Sequence, residues 1–178
     1  MITQKDLRLG NSPLIKKRKN INNKYSEFMM EIMYYEDIEV GQKRIKSLTY
    51  QVKKEEIIKF ARHWDPRSFH IDEVAAVSSV FGGLVACSAH IFSILSWFGT
   101  HGNRRTASMA ALGFDELHML HPVRPNDTLS CSFTCLEKRE SRSKHDRGIV
   151  RTFASLTNQQ SIKVFSAIVT AMVSKHPR

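Results

Sequence analysis

The spacing of apolar positions changes period several times along the chain, and each change predicts an element. Over residues 42–52, Ile45, Leu48, Tyr50 and Val52 interleave with polar positions, which predicts a first strand after the Val40-Gly41 turn. Between residues 53 and 64 the period lengthens. Ile57, Phe60 or Ala61, and Trp64 share one face, with Glu55 and Glu56 near the N-terminal end, as an amphipathic helix prefers. Asp65-Pro66 ends that helix, and Asp72 is placed to cap a short turn through Glu73, Val74, Ala75 and Ala76. Residues 84–98 are apolar nearly all round, the signature of a helix buried on most faces. Interrupted by Ser88, His90, Ser93 and Ser96, the run falls short of the about 20 apolar residues that span a bilayer, so it predicts a core helix. A loop over residues 99–108 precedes four strand-like stretches at 109–120, 129–136, 148–157 and 162–173, with turn residues at 122–127 and 158–161. The run EKRESRSKHDR at 137–147 reads as a charged hairpin tip. A long central helix with most strands after it predicts an α+β domain, helices on one face of an antiparallel sheet.

The candidate chemistry concentrates in residues 60–90, FARHWDPRSFHIDEVAAVSSVFGGLVACSAH. Asp65 and His70 lie five apart with Pro66 between them, which disfavours a continuous helix and predicts a bent loop turning both side chains toward one point. Beyond them Phe81-Gly82-Gly83 breaks the chain before the central helix. The helix start then brings unpaired backbone N–H groups and a positive dipole end near the same point, with Gly83 among the candidate anion-binding positions. A proton-transfer pair and an anion site are therefore expected together. His90 has no partner at HExxH-like spacing, so it reads as a packed helix histidine and no metal is expected.

These residues resemble the hydratase signature of the MaoC-like, or R-specific enoyl-CoA hydratase, family: an aromatic, an Asp, a His five later and a small residue six beyond. Phe60, Asp65, His70 and Ala76 match it. DPRSFHIDE followed by FGGLVA is similar to the MaoC-like acyl dehydratase branch, as is VRPNDTL to that branch's VRPGDTL turn, and the resemblance covers residues 33–173. It implies a hot-dog fold, an antiparallel sheet wrapped around a long central helix, in a homodimer whose sheets join edge to edge. The implied activity is reversible hydration of a trans-2-enoyl-CoA to an (R)-3-hydroxyacyl-CoA, or the corresponding dehydration. No cofactor is implied beyond the coenzyme A or acyl-carrier thioester itself. The resemblance gives Asp65 and His70 the acid/base work. It gives the oxyanion role to the backbone N–H of Ser88, which stands where the family has glycine. Ser96, twenty-six residues past His70, matches a serine that orients the catalytic carboxylate in some members. Arg67-Ser68 replaces a frequent Asn-Pro, and Trp64 a Gly, departures that bear on substrate. Because the implied substrate carries phosphates and Arg pairs with phosphate bidentately, Arg104, Arg105 and Arg124 are candidate coenzyme A contacts.

Composition narrows the remaining possibilities. In 178 residues, 42% hydrophobic and 25% charged describe an ordinary globular domain. A net charge of +10 attracts polyanions, and by itself suits nucleic acid, an anionic membrane or coenzyme A phosphates equally. No aromatic-interleaved RNA motif is present, so neither a nucleic-acid nor a membrane partner is expected. Residues 1–32, rich in Lys and Asn and containing LIKKRKN, read as a basic mobile arm ahead of a domain over 33–178, with Met33 an alternative start. The arm lacks the apolar core of a secretory signal, and three cysteines without paired CxxC spacing fit a reducing cytoplasm. Cys131, Phe133 and Cys135 alternate with Ser130, Ser132 and Thr134, which predicts inward-facing thiols on a strand. Three alternatives stay open beside the lyase reading: a non-catalytic acyl-CoA-binding or regulatory hot-dog protein, a hot-dog thioesterase and, last in order, a nucleic-acid-binding protein that uses the arm and the +10 charge.

Overall fold

The computed structural model describes residues 31–102 and 104–177. In chain order its elements are β1 (Glu31–Met33), β2 (Lys43–Ile45), β3 (Tyr50–Gln51), α1 (Lys54–Trp64), α2 (Ser68–Ile71), α3 (Glu73–Val77) and α4 (Ser88–Thr100). These are followed by β4 (Arg104–Thr106), β5 (Ser108–Met119), β6 (Thr128–Glu140), β7 (Arg147–Thr157) and β8 (Lys163–Ser174). The main sheet runs β2-β6-β7-β8-β5 with every pair antiparallel, β3 also pairs with β6, and β1 pairs with β4 in a separate parallel ribbon. This is the hot-dog arrangement, an α+β domain with the sheet curled around α4.

The helix is held by shape. Ile91, Ile94, Leu95 and Phe98 of α4 share one buried cluster with Cys131, Ala154, Leu156, Phe165 and Ala167 of the sheet. Ala154 and Ala167 lie directly opposite each other on β7 and β8, and the two small side chains leave room for a bulky helix face. Phe98, fully buried, fills it; truncating such a residue to Ala costs about 3–5 kcal/mol. A second cluster joins Met33, Tyr35, Ile38, Cys135, Val150 and Val173. Here Gly148 is required, since a Cβ at that position would stand 2.2 Å from the Tyr35 ring. Cys131 and Cys135 are each 1% exposed, facing inward as their alternation predicts.

Several elements differ from expectation. The central helix begins at Ser88, four residues later than the apolar run beginning at Leu84. Leu84 to Cys87 are buried but not helical, and their backbone is satisfied from outside: Val85 N–H bonds to Phe69 O at 3.2 Å and Ala86 N–H to Val123 O at 2.8 Å. The expected strand over 42–52 is two short ones; Leu48, Tyr50 and Val52 pack inward, whereas Ile45 is 70% exposed and its neighbours Arg44 and Lys46 are half-buried. The loop expected over 99–108 contains β4, paired with β1, and neither three-residue strand has a period long enough to read. β6 continues to Glu140, which shortens the charged hairpin tip to 141–146. β1 starts at Glu31, inside the expected arm over 1–32; residues 1–30 of that arm lie outside the described residues. Among the described residues no helix is long and apolar enough to cross a membrane.

Candidate active site

Asp65 is where α1 stops. Its N–H closes the last turn onto Ala61 O at 2.8 Å, its backbone leaves the helical region, and Pro66 forbids continuation. The chain turns once, with Arg67 N–H on Asp65 O and His70 N–H on Arg67 O, both at 2.9 Å, so His70 stands on the single turn α2 rather than on an open loop. The two side chains converge as expected: His70 Nε2 lies 3.7 Å from Asp65 Oδ2. His70 is buried between the Phe69 ring, 4.5 Å away, and the backbone of Val85, whereas Asp65 keeps 24% of its side chain exposed.

One hydrogen bond decides what this pair can do. His70 Nδ1 lies 2.7 Å from Val85 O, and a carbonyl only accepts, so Nδ1 carries a proton, and whenever the ring is neutral its lone pair is at Nε2. A lone pair and a carboxylate oxygen at 3.7 Å do not bond each other directly. They are spaced to share a donor, and water is the smallest molecule with two O–H groups. Arg67 was not foreseen in the site. Its Nε stands 3.1 Å from Asp65 Oδ1, so the carboxylate is held at one oxygen and presented at the other. Val85 was missed too, because a backbone carbonyl leaves no trace in residue type.

The helix start stands beside the pair. Burial pushes the Cys87 thiol up, the N–H groups of His90 and Ala89 act the other way, and the Asp65 carboxylate pushes it up further. The geometry agrees, since Val85, three residues ahead of α4, is bonded to His70 Nδ1 at 2.7 Å and to Phe69 O at 3.2 Å. Ser88 is the first helical residue and is exposed, and its N–H belongs to the opening turn that has no intrahelical acceptor. Gly83, at φ +154°, sits on the approach to this end; an added Cβ there would lie 3.3 Å from Arg124 Nη1. Arg124 crosses the glycine pair and donates from Nη2 to Phe81 O at 2.5 Å. Ser96 bonds its own helix, Oγ to Phe92 O at 3.3 Å, and is not brought to Asp65 within the chain. Arg104 and Arg105 lie on β4, past the opposite end of α4, and Arg104 pairs with Glu31 at 2.9 Å. Of the three candidate phosphate contacts, Arg124 is the one near the Asp65/His70 turn, through Phe81, whose ring packs 5.1 Å from that of Phe69.

His90 is a packed helix residue with an unusual environment. It is 2% exposed, and neither ring nitrogen has a hydrogen-bond partner among the described residues. Phe60 stacks on it at 4.7 Å, and Glu56 Oε1 lies 3.6 Å from Nε2 while also accepting from the Tyr50 hydroxyl. Burial lowers the His90 pKa, with Glu56 opposing, and burial raises that of Tyr50. Phe60 of the signature thus serves as the lid on this histidine.

The fold and the paired Asp65 and His70 can be set beside known proteins. The family described as MaoC like domain matches residues 37–156. The chain belongs to the MaoC-like domain family. The MaoC-like dehydratase from Rhodospirillum rubrum superposes with a TM-score of 0.73 at 31% identity, over 82% of this chain and 99% of that one. The uncharacterized protein YdeM of Bacillus subtilis (strain 168) is 26% identical over 147 residues, 80% of this chain and 100% of that protein. R-hydratase PhaJ1 from Pseudomonas aeruginosa shares the fold, with a TM-score of 0.66 at 23% identity over 80% of this chain and 86% of that one.

Proposed function

We propose that this protein is a hydro-lyase that reversibly hydrates a trans-2-enoyl thioester, with coenzyme A as carrier, to the (R)-3-hydroxyacyl thioester. The observation that carries this reading is the Val85 O bond to His70 Nδ1 at 2.7 Å, which leaves Nε2 and Asp65 Oδ2 as two acceptors 3.7 Å apart. A water donating to both has its oxygen lone pairs free to attack Cβ. As the C–O bond forms, one of the two acceptors takes a water proton and the pair returns a proton to Cα, so the net addition is H to Cα and OH to Cβ. The negative charge that develops on the thioester oxygen meets the α4 N-terminus, where the Ser88 N–H is the proposed donor. Arg67 keeps the carboxylate turned, and Arg124 is the proposed phosphate contact nearest the turn.

The catalytic unit in this reading is a homodimer. β5 is a 12-residue sheet edge with nearly every position exposed, including Met109, Leu112, Phe114, Leu117 and Met119, and a long apolar edge of that kind is a template for strand pairing. Pairing two copies through β5 extends both sheets and covers those side chains.

The test is an absorbance assay of enoyl-thioester loss over a panel of chain lengths, with Asp65→Asn beside the wild type. Loss of about 10²- to 10⁴-fold in the variant, with acyl-CoA binding retained, is the expected result. A wild type that binds acyl-CoA yet converts no panel member favours the regulatory alternative, for which the Ser88 side chain at the helix start is the specific observation. Ser88→Gly is then the informative change.

A further inference from the structure

His90 is the polar side chain that the core leaves unanswered. It is 2% exposed, and among the described residues it alone has buried side-chain nitrogens without a hydrogen-bond partner. Burial in that state destabilises the fold, so the position calls for a second state in which the ring is paired. Its surroundings supply one. The ring stacks on Phe60 of α1 at 4.7 Å and 11°, which fixes its plane, and its Nε2 edge faces Glu56, one turn earlier on α1, with Oε1 3.6 Å away. That gap is too long for a hydrogen bond and short enough for an ion pair. Glu56 Oε1 meanwhile accepts from the Tyr50 hydroxyl, and its side chain is 40% exposed, so the carboxylate is free to change partners.

A proton on His90 changes the balance. Both ring nitrogens become donors, a positive charge is buried, and Glu56 is the charged side chain placed to answer it. The other titratable groups around the ring stay neutral: burial pushes up the Tyr50 hydroxyl, behind Glu56, and the Cys87 thiol, one turn back at the start of α4. Burial holds the His90 pKa below 6.5 against the opposing pull of Glu56, so the neutral ring is the resting state near pH 7 and the paired ring the acid one. The pair also has reach. Asp65 caps the far end of the helix that carries Glu56, and Ser88 opens the helix that carries His90. The contact thus joins α1 and α4, which between them carry both halves of the proposed hydration site.

We propose that His90 and Glu56 form a proton-operated latch between α1 and α4: one proton on His90 draws Glu56 from the Tyr50 hydroxyl into a buried ion pair and sets a positive charge in the turn that holds the Ser88 N–H. Its effect on catalysis rests on the hydration reading, because that charge then adds to the helix end where the thioester oxygen becomes negative. The latch itself does not depend on that reading.

The test follows the ring resonances of ¹⁵N-histidine in the full chain from about pH 8 to about pH 5, with His90 assigned by His90→Gln. Wild-type His90 is expected to titrate in the folded protein with a midpoint below 6.5. Glu56→Gln is expected to lower that midpoint by about one pH unit or more, and Tyr50→Phe, which frees Oε1, to raise it. In the enoyl-thioester assay, the ratio of wild-type to His90→Gln rates is expected to rise about threefold or more as pH falls through the wild-type midpoint, since the acid limb that His70 gives both proteins cancels. The latch is overturned if His90 stays neutral throughout the folded range, if Glu56→Gln titrates like the wild type, or if Tyr50→Phe lowers the midpoint. A flat rate ratio beside shifted midpoints overturns its link to the site. If no thioester is converted, the hydration reading fails, and the midpoints alone still decide the latch.

Discussion

Replacing His70 in two ways separates its chemistry from its structural duty. The ring does two things at once: Nδ1 satisfies the Val85 carbonyl at 2.7 Å, and Nε2 faces Asp65. Both His70 and Val85 are buried, at 5% and 2% exposure, so His70→Ala leaves that carbonyl without its partner and without ready access to water. An unsatisfied buried group costs about 1–3 kcal/mol. For a chain of this size each kcal/mol lowers the melting midpoint by about 2–4 °C, so His70→Ala is expected to melt about 2–12 °C below the wild type. In His70→Asn the amide nitrogen occupies nearly the place of Nδ1 and donates to Val85 O, while nothing replaces Nε2. That variant is expected to melt within about 2 °C of the wild type, since its buried hydrogen bond is conserved. Its enoyl-thioester hydration is nonetheless expected to fall by about 10²- to 10⁴-fold, the usual contribution of one acid/base group. Differential scanning calorimetry and the absorbance assay together check both numbers. Hydration within about tenfold of wild type in His70→Asn refutes the assignment of Nε2 as a reacting atom. An unchanged midpoint in His70→Ala refutes the structural half.

Other outcomes follow from the same geometry. Because Asp65 and His70 act on one water, the Asp65→Asn/His70→Asn double variant is expected to be little slower than the slower single variant, and multiplicative losses in kcat refute the shared water. Leu112→Lys, at a β5 position 51% exposed in the single chain, is expected to convert a dimer to a monomer in size-exclusion light scattering, and persistence of the dimer removes β5 as the interface. A chain beginning at Met33 loses the Glu31–Arg104 pair and most of β1, and is expected to melt a few degrees below one beginning at Glu31, at about 0–1 kcal/mol for the exposed pair. Burial lowers the His90 pKa in the folded protein, so as pH falls through the ordinary value of 6.5 the unfolded chain takes up a proton that the folded one resists. Stability is therefore expected to decline as pH falls from about 7 toward the lowered folded value, and His90→Leu to flatten that decline in chemical denaturation; an unchanged slope refutes it.

What was legible in the sequence follows from how each feature is encoded. The four long strands and α1 repeat a spacing over 11 to 13 residues, enough for period and turn residues to agree, and each lies within a few residues of its expected place. The Asp65/His70 pair was legible because Pro66 restricts the geometry between them. The Asp72 cap was legible for a similar reason, and its Oδ1 accepts from Val74 N at 2.9 Å and Ala75 N at 3.0 Å. Hydrophobicity alone misplaced the start of α4. An apolar run says that a segment is buried without saying how its backbone is satisfied, and at Val85 and Ala86 the partners are Phe69 and Val123, 16 and 37 residues away in sequence.

The same long-range satisfaction is what makes the candidate site. Val85 can orient His70 because its carbonyl is not spent on a helix of its own. Had α4 begun at Leu84, as the apolar run predicts, that carbonyl would have belonged to the opening turn and accepted from within the helix. The four extended residues ahead of Ser88 thus do two things: they free an acceptor for Nδ1, and they bring the first N–H groups of α4 to the turn that carries Asp65. Arg44 shows the converse case: the inward phase held by Leu48, Tyr50 and Val52 continues through Lys46 to Arg44, so a cation is half-buried and Ile45 is left 70% exposed. In both instances the departure from simple patterning concerns a backbone group or a charge, which a hydrophobic period does not encode.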